Sequence, residues 1–238
     1  MSEAAAKRET RQDFRVAREA STLRHQVTEA IRNAIAAGHY EAGTRMPEKE
    51  LCELTGVSRT LVREALRQLE SEGLVQVIPH KGPIVAKMTV EQAAGTYEVR
   101  EVLEALAARR FAEYATDEHM NQIEAAFEDV RRAYESGKVV DRLEAKNIFY
   151  TRLVEGGGNE AIGLALHMIN SRTMLLRGRS LSRENRWQQS LLELEALLEA
   201  LRKRDPEAAH RLATEHVRMA AKAALSSFDE GAALKRGN

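Results

Sequence analysis

The sequence predicts a mainly α-helical chain in which an N-terminal winged helix-turn-helix precedes an all-α antiparallel bundle. Three observations carry that reading. Gly56–Leu69 joins a tight turn to a helix with an apolar stripe and a basic face. Residues 74–86 hold two short β-branched runs separated by a Pro-His-Lys-Gly turn. From Thr89 onward, apolar residues recur almost wholly at helical spacing. The 238 residues exceed what a winged helix needs and allow two cores. The expected division is a polar arm over 1–20, a winged helix over 21–87 and a helical bundle over 88–238.

The arm has few apolar anchors, and its Arg8, Arg11 and Arg15 suit either DNA contact or an unengaged solvated tail. Val27, Ala30, Ile31, Ala34 and Ile35 form the buried stripe of a first helix, with Gly38 at its C-cap. A short second helix runs from Pro47, which suits a first helical position, and buries Leu51 and Leu54 against the third. In the third helix Val62, Ala65, Leu66 and Leu69 repeat at i, i+3, i+4 and i+7, so Arg59, Thr60, Arg63 and Arg67 point elsewhere. Ser58 or Thr60 can cap it, and Gly56 allows the sharp approach from the second helix. Strands over 74–78 and 83–86 then make a wing. Lys81 puts a positive charge at its tip, and Gly82 lets the backbone come close to a phosphate.

Over this stretch the chain resembles the GntR family of bacterial transcription regulators. The resemblance rests on Ile31-Arg32, Gly38-His39-Tyr40, Gly43, Gly56-Val57-Ser58-Arg59-Thr60, Val62-Arg63-Glu64-Ala65-Leu66, Leu69-Glu70, Glu72-Gly73-Leu74-Val75 and Gly82. It implies that Lys49, Arg59 and Arg63 contact DNA, together with the hydroxyls of Ser58 and Thr60 and the wing tip at Lys81-Gly82. Two positions depart from the family pattern: Leu61 stands where proline is frequent, and Lys49 where arginine is common. Lysine lacks the planar fork that reads guanine, so Lys49 is expected to hold a phosphate.

In the second half Thr89 caps a long helix carrying Tyr97, Val99, Val102, Leu103, Leu106 and Phe111, and Thr116-Asp117 opens the next. A third runs from about Val140 to Val154 and stops at Gly156-Gly157-Gly158, and Asn159 opens a fourth that reaches Leu176. Two more cover about 184–204 and 206–227, separated at Asp205-Pro206. Six helices with short links make a bundle, a natural place for a ligand pocket.

This half resembles the effector-binding (FCD-type) domain of the FadR subfamily of GntR regulators, through Tyr97-Glu98-Val99-Arg100-Glu101-Val102-Leu103-Glu104, Phe149 with Gly158-Asn159, and Ala200 to Ala209 with His216. The resemblance implies an effector site in the bundle, homodimerisation, and in many members a divalent metal held by an aspartate and three histidines beside an organic acid. Those four positions fall here on Lys146, Tyr150, Leu194 and His216, of which only the histidine is a metal ligand of that set. No metal and no other cofactor is therefore expected. Lys146 and Tyr150 share a helix face, and two readings stand side by side. In one, the lysine takes the place of the cation and meets a ligand carboxylate, with Arg100, Tyr150 and His216 nearby. In the other, Lys146 pairs with a glutamate and His216 is a satisfied core histidine. Should neither hold, the bundle takes an apolar effector.

Composition narrows the remaining classes. Residues 1–88 carry 14 Lys plus Arg against 12 Asp plus Glu, and the rest 22 against 24, so DNA binding would depend on local arginines. No run approaches a membrane span, and Met1-Ser2-Glu3-Ala4 lacks the apolar stretch of a signal peptide, which predicts a cytoplasmic protein. Cys52 is the only cysteine and is assigned to packing. Gly156-Gly157-Gly158 follows no strand and precedes no Lys-Ser/Thr, so it terminates a helix rather than cradling phosphate. His80, His119, His167 and His210 show no metal-binding spacing, and no nucleophile, base and orienting group can be assembled. The expected function is a homodimeric operator-binding regulator, most often a repressor in such families, controlled by an organic or fatty acid. The alternative is a helical binding protein or enzyme whose winged helix is a protein-interaction module.

Overall fold

The computed structural model describes residues 18–181 and 185–234, so the arm's Arg8, Arg11 and Arg15 lie outside the described residues. Three helices, α1 (Arg18–Ala36), α2 (Glu48–Thr55) and α3 (Arg59–Ser71), pack with a hairpin of β1 (Val75–Ile78) and β2 (Gly82–Val85). The hairpin is antiparallel with Val75 opposite Val85 and Ile78 opposite Gly82, and Arg45 bridges to Ile84 on its other side. Val27, Ile31, Ile35, Met46, Leu51, Val62, Leu66 and Leu69 form the core of this part. Ser58, rather than Thr60, caps α3 by accepting the Leu61 N–H. Gly56 adopts φ 69° as the C-cap of α2, a conformation that costs a side chain strain. Leu54 corrects the expectation of burial: it is 69% exposed, because the side of the two-turn α2 that faces the core carries Leu51, with Cys52 partly buried beside it.

The rest is helical: α4 (Val90–Tyr114), α5 (Asp117–Ser136), α6 (Val139–Gly156), α7 (Glu160–Met168), α8 (Asn170–Leu181), α9 (Arg186–Arg202) and α10 (Pro206–Leu234). Thr89 and Thr116 open α4 and α5 with capping boxes, and Gly157 closes α6. The core holds Phe111, Phe127, Phe149, Leu153, Leu194, Leu197 and Leu201. Among the described residues seven helices stand where six were expected, since the segment opened by Asn159 breaks at Ile169. The break has a packing cause. After it, Leu175 turns to the N-terminal core while Leu176 joins Tyr97, Val217 and Ala220 in the bundle. One straight helix could not serve both. On α4, Val99, Val102 and Leu106 face outward, with Val102 65% exposed.

Candidate functional site

The basic face expected of α3 is present. Burial of Val62, Ala65, Leu66 and Leu69 leaves Arg59, Thr60, Arg63 and Arg67 exposed on the opposite side. Ser58 spends a lone pair on its cap and keeps its hydroxyl proton available to donate. Arg63 is not idle: its Nε donates to both Glu48 carboxylate oxygens at 2.9 Å in an exposed pair. Lys49 lies 3.8 Å from Glu53 on α2, away from any buried partner. At the wing tip Lys81 is exposed, its N–H closing the turn onto the Ile78 carbonyl, and Gly82 adopts φ 87°.

The bundle residues singled out from the sequence come together, though not all at a cavity. Arg100 is fully buried and donates from Nε to Glu104 at 2.9 Å, one turn along α4. Burial opposes its charge, and the Glu104 carboxylate more than offsets this, holding its pKa above the ordinary value. Lys146 is 3% exposed, with Nζ 3.1 Å from Ser190 Oγ and 3.2 Å from His216 Nε2. His216 Nδ1 stands 2.6 Å from Glu193 Oε2, and Arg186 donates to the same carboxylate at 2.8 Å. The glutamate thus reaches Lys146 only through the histidine. Burial lowers the pKa of both Lys146 and His216, helped by Arg177 for the lysine and by Lys146 for the histidine, which favours a neutral imidazole donating to Glu193 and accepting from Lys146.

The four positions of the family's metal set do not fit an ion. Lys146 brings donors only while it carries its proton, Leu194 is apolar and fully buried, and the Nε2 that His216 would offer a metal already faces the lysine. Among the described residues, no three His, Cys, Asp or Glu side chains converge on one point.

A cavity of about 730 Å³ opens beside this cluster between α4, α6, α7 and α8. Of the four expected effector residues only Tyr150 lines it; Arg100, Lys146 and His216 stand behind its wall. Glu104, Thr173 and Arg177 complete the inner end. The Arg177 guanidinium lies 4.2 Å from the Tyr150 ring centroid and donates to Glu104 at 3.3 Å. Arg177 and Glu193 escaped sequence reasoning, since nothing distinguishes Arg177 from Arg172 and Arg179 along α8. Glu104, four residues after Arg100, was legible as its partner from spacing alone.

The helix that brings Thr173 and Arg177 to the cavity also docks on the N-terminal part. Arg32 of α1 donates from Nε to Ser171 Oγ at 2.8 Å and from Nη2 to Glu72 Oε2 at 2.7 Å, and Ser171 bonds Glu72 in turn. Further along α8, Gly178 passes so close to α1 that a Cβ there would collide with the Ala36 carbonyl. An isolated glycine inside a helix was the available signal of this close approach.

Comparison with known proteins agrees with the two-part layout. The family of bacterial regulatory proteins gntR matches residues 23–85, and the FCD domain family matches residues 96–219. The chain is 27% identical over 195 residues to the HTH-type transcriptional repressor RspR of Escherichia coli (strain K12), covering 82% of this chain and 86% of that protein. It is likewise 27% identical over 189 residues to the HTH-type transcriptional regulator YdhC of Bacillus subtilis (strain 168), covering 78% and 84%. The fold is similar to that of E. coli McbR/YncC, with a TM-score of 0.75 and 20% identity, covering 87% of this chain and 98% of that one.

Proposed function

This chain belongs to the gntR family of bacterial regulatory proteins and carries an FCD domain, and on that premise we propose that it is an operator-binding repressor released or strengthened by a small molecule held in the bundle cavity. The observation that carries this reading is the double engagement of α8, whose Thr173 and Arg177 line the cavity while Ser171 and Gly178 rest on α1 and α3. A ligand that repositions Arg177 bears on the support of the recognition helix without touching DNA. The repressor sign follows that of the relative RspR, a transcriptional repressor.

The DNA contacts are assigned to Ser58, Arg59, Thr60 and Arg63 in the major groove, with Lys49, Lys81 and Gly82 on phosphates. The protein is read as a cytoplasmic regulator rather than an enzyme, acting without metal or other cofactor. Among the described residues no helix is long and apolar enough to cross a membrane. Two copies are read as reading two half-sites, with the outward stripe of Val99, Val102 and Leu106 supporting their association. Fluorescence anisotropy on the chain's own upstream DNA against scrambled DNA, over a salt series, tests the whole reading. Specific binding should weaken as salt rises, and Arg59→Ala or Arg63→Ala should each cost about 1–3 kcal/mol of specific affinity. Equal affinity of the wild type for both DNAs would sink it.

A further inference from the structure

The cavity is polarised from its inner end to its mouth. At the inner end Arg177 and Thr173 are each 4% exposed and Tyr150 6%. Arg177 Nε, Thr173 Oγ1 and Tyr150 Oη are buried there without a hydrogen-bond partner. All three can donate, so together they ask for an acceptor with more than one oxygen. None of the described residues supplies it. Glu104 is engaged by Arg100 and Arg177, and Glu193 by His216 and Arg186. Arg100, Arg142, Arg177 and Arg186 are all buried, and these two carboxylates do not balance them. Burial and the adjacent Arg100 lower the pKa of Arg177, as befits a cation short of anions.

The mouth has the opposite character. Glu155 and Glu160 are exposed there, Glu155 paired with Arg152 at 2.7 Å, and Arg177 is the only Lys or Arg among the described lining residues. A second carboxylate on a ligand would therefore meet the like charge of Glu160, while the methylenes between the two ends lie along Val154, Leu164 and Leu166. The separation of the two ends is set by α6. Tyr150 and Glu155 are five residues apart, or about 7 Å along the axis.

Resting on the reading of the bundle as the sensor, we propose that this cavity binds a short ω-amino acid. Its carboxylate takes Arg177 Nε, Tyr150 Oη and Thr173 Oγ1, and its ammonium, four to six bonds away, reaches Glu155 and Glu160. The class differs from the organic or fatty acid that the resemblance implies. The required terminal ammonium distinguishes it from a fatty acid or a diacid.

Isothermal titration of the full chain with 4-aminobutyrate, 5-aminovalerate and 6-aminohexanoate, against pentanoate, glutarate and pentylamine, tests the class. At least one ω-amino acid should bind about ten-fold tighter than every control, a difference of about 1.4 kcal/mol. The exposed double substitution Glu155→Gln with Glu160→Gln leaves the core untouched and should erase the preference over pentanoate and glutarate. Arg177→Gln should abolish binding of every acid. Tighter binding of pentanoate or glutarate, pentylamine binding as well as the amino acids, or no binding of any ω-amino acid at millimolar concentration would overturn the proposal. The sensor reading is separable: an ω-amino acid that binds but leaves operator affinity unchanged refutes the sensor and keeps the ligand class. Operator release by some other compound does the reverse.

Discussion

Arg63 enters its work already occupied. Its Nε shares both oxygens of Glu48, and the side chain is 59% exposed, so solvent screening keeps the pair weak. On the proposed contact, DNA would compete with that carboxylate and bring a phosphate or base near a negative charge. Glu48→Gln should therefore tighten operator binding up to about five-fold at low salt, an effect that anisotropy would register and that should shrink as salt rises. His216 makes a second residue-scale prediction. Burial lowers its folded pKa below the ordinary 6.5, so below that pH the unfolded chain takes up a proton that the folded chain refuses. Stability should be intact above pH 6.5 and fall as pH drops below it, by at most about 1.4 kcal/mol per pH unit. Thermal melts at pH 8 and 5.5 would show a smaller gap for His216→Gln. An unchanged gap would place the acid sensitivity elsewhere.

Among elements, α8 is the one whose role its sequence concealed. Ser171 accepts from Arg32 and donates to Glu72, yet Arg32 and Glu72 also bond each other directly. Ser171→Ala thus removes this polar link between the two parts while leaving the ion pair inside the N-terminal part and the packing of Leu175 and Gly178. Operator affinity without ligand should be nearly unchanged, and the shift caused by ligand should fall, as anisotropy with and without ligand would measure. Gly178→Ala forces α8 away from the Ala36 carbonyl and should cost about 1–3 kcal/mol in denaturant melts. The elements themselves were largely readable. The stripes of α1 and α3, the caps at Thr89 and Thr116 and the wing turn are local features, decided within a few residues. The break at Ile169 was not readable, because Met168-Ile169-Asn170 carries no glycine or proline and the interruption answers to two cores far away in sequence. Leu54 misled for the same kind of reason: its spacing suits a buried stripe, but the two-turn helix turns Leu51 and Cys52, not Leu54, to the core. Of the cavity, Tyr150 was visible through resemblance; Arg177 was not, since long-range packing alone selects it from the arginines of its helix.

For the molecule as a whole, the Lys146–His216–Glu193 chain occupies two of the four positions at which the resemblance implies a metal ligand. Operator binding and its response to ligand should be unaffected by EDTA, and mass spectrometry of the purified protein should find metal well below one ion per chain. Stoichiometric metal that resists dialysis would refute this. The close pass of α8 over Ala36 also bears on engineering. The apparent seam for a chimaera is the link after β2, where the helical half begins. The mating surfaces, however, lie at Ser171, Leu175 and Gly178 on one side and at Arg32, Ala36 and Glu72 on the other. A sensor transplanted onto a foreign winged helix carries half of a fitted joint with it. It would report only if its new host presented a bare backbone carbonyl for that glycine and an arginine for that serine.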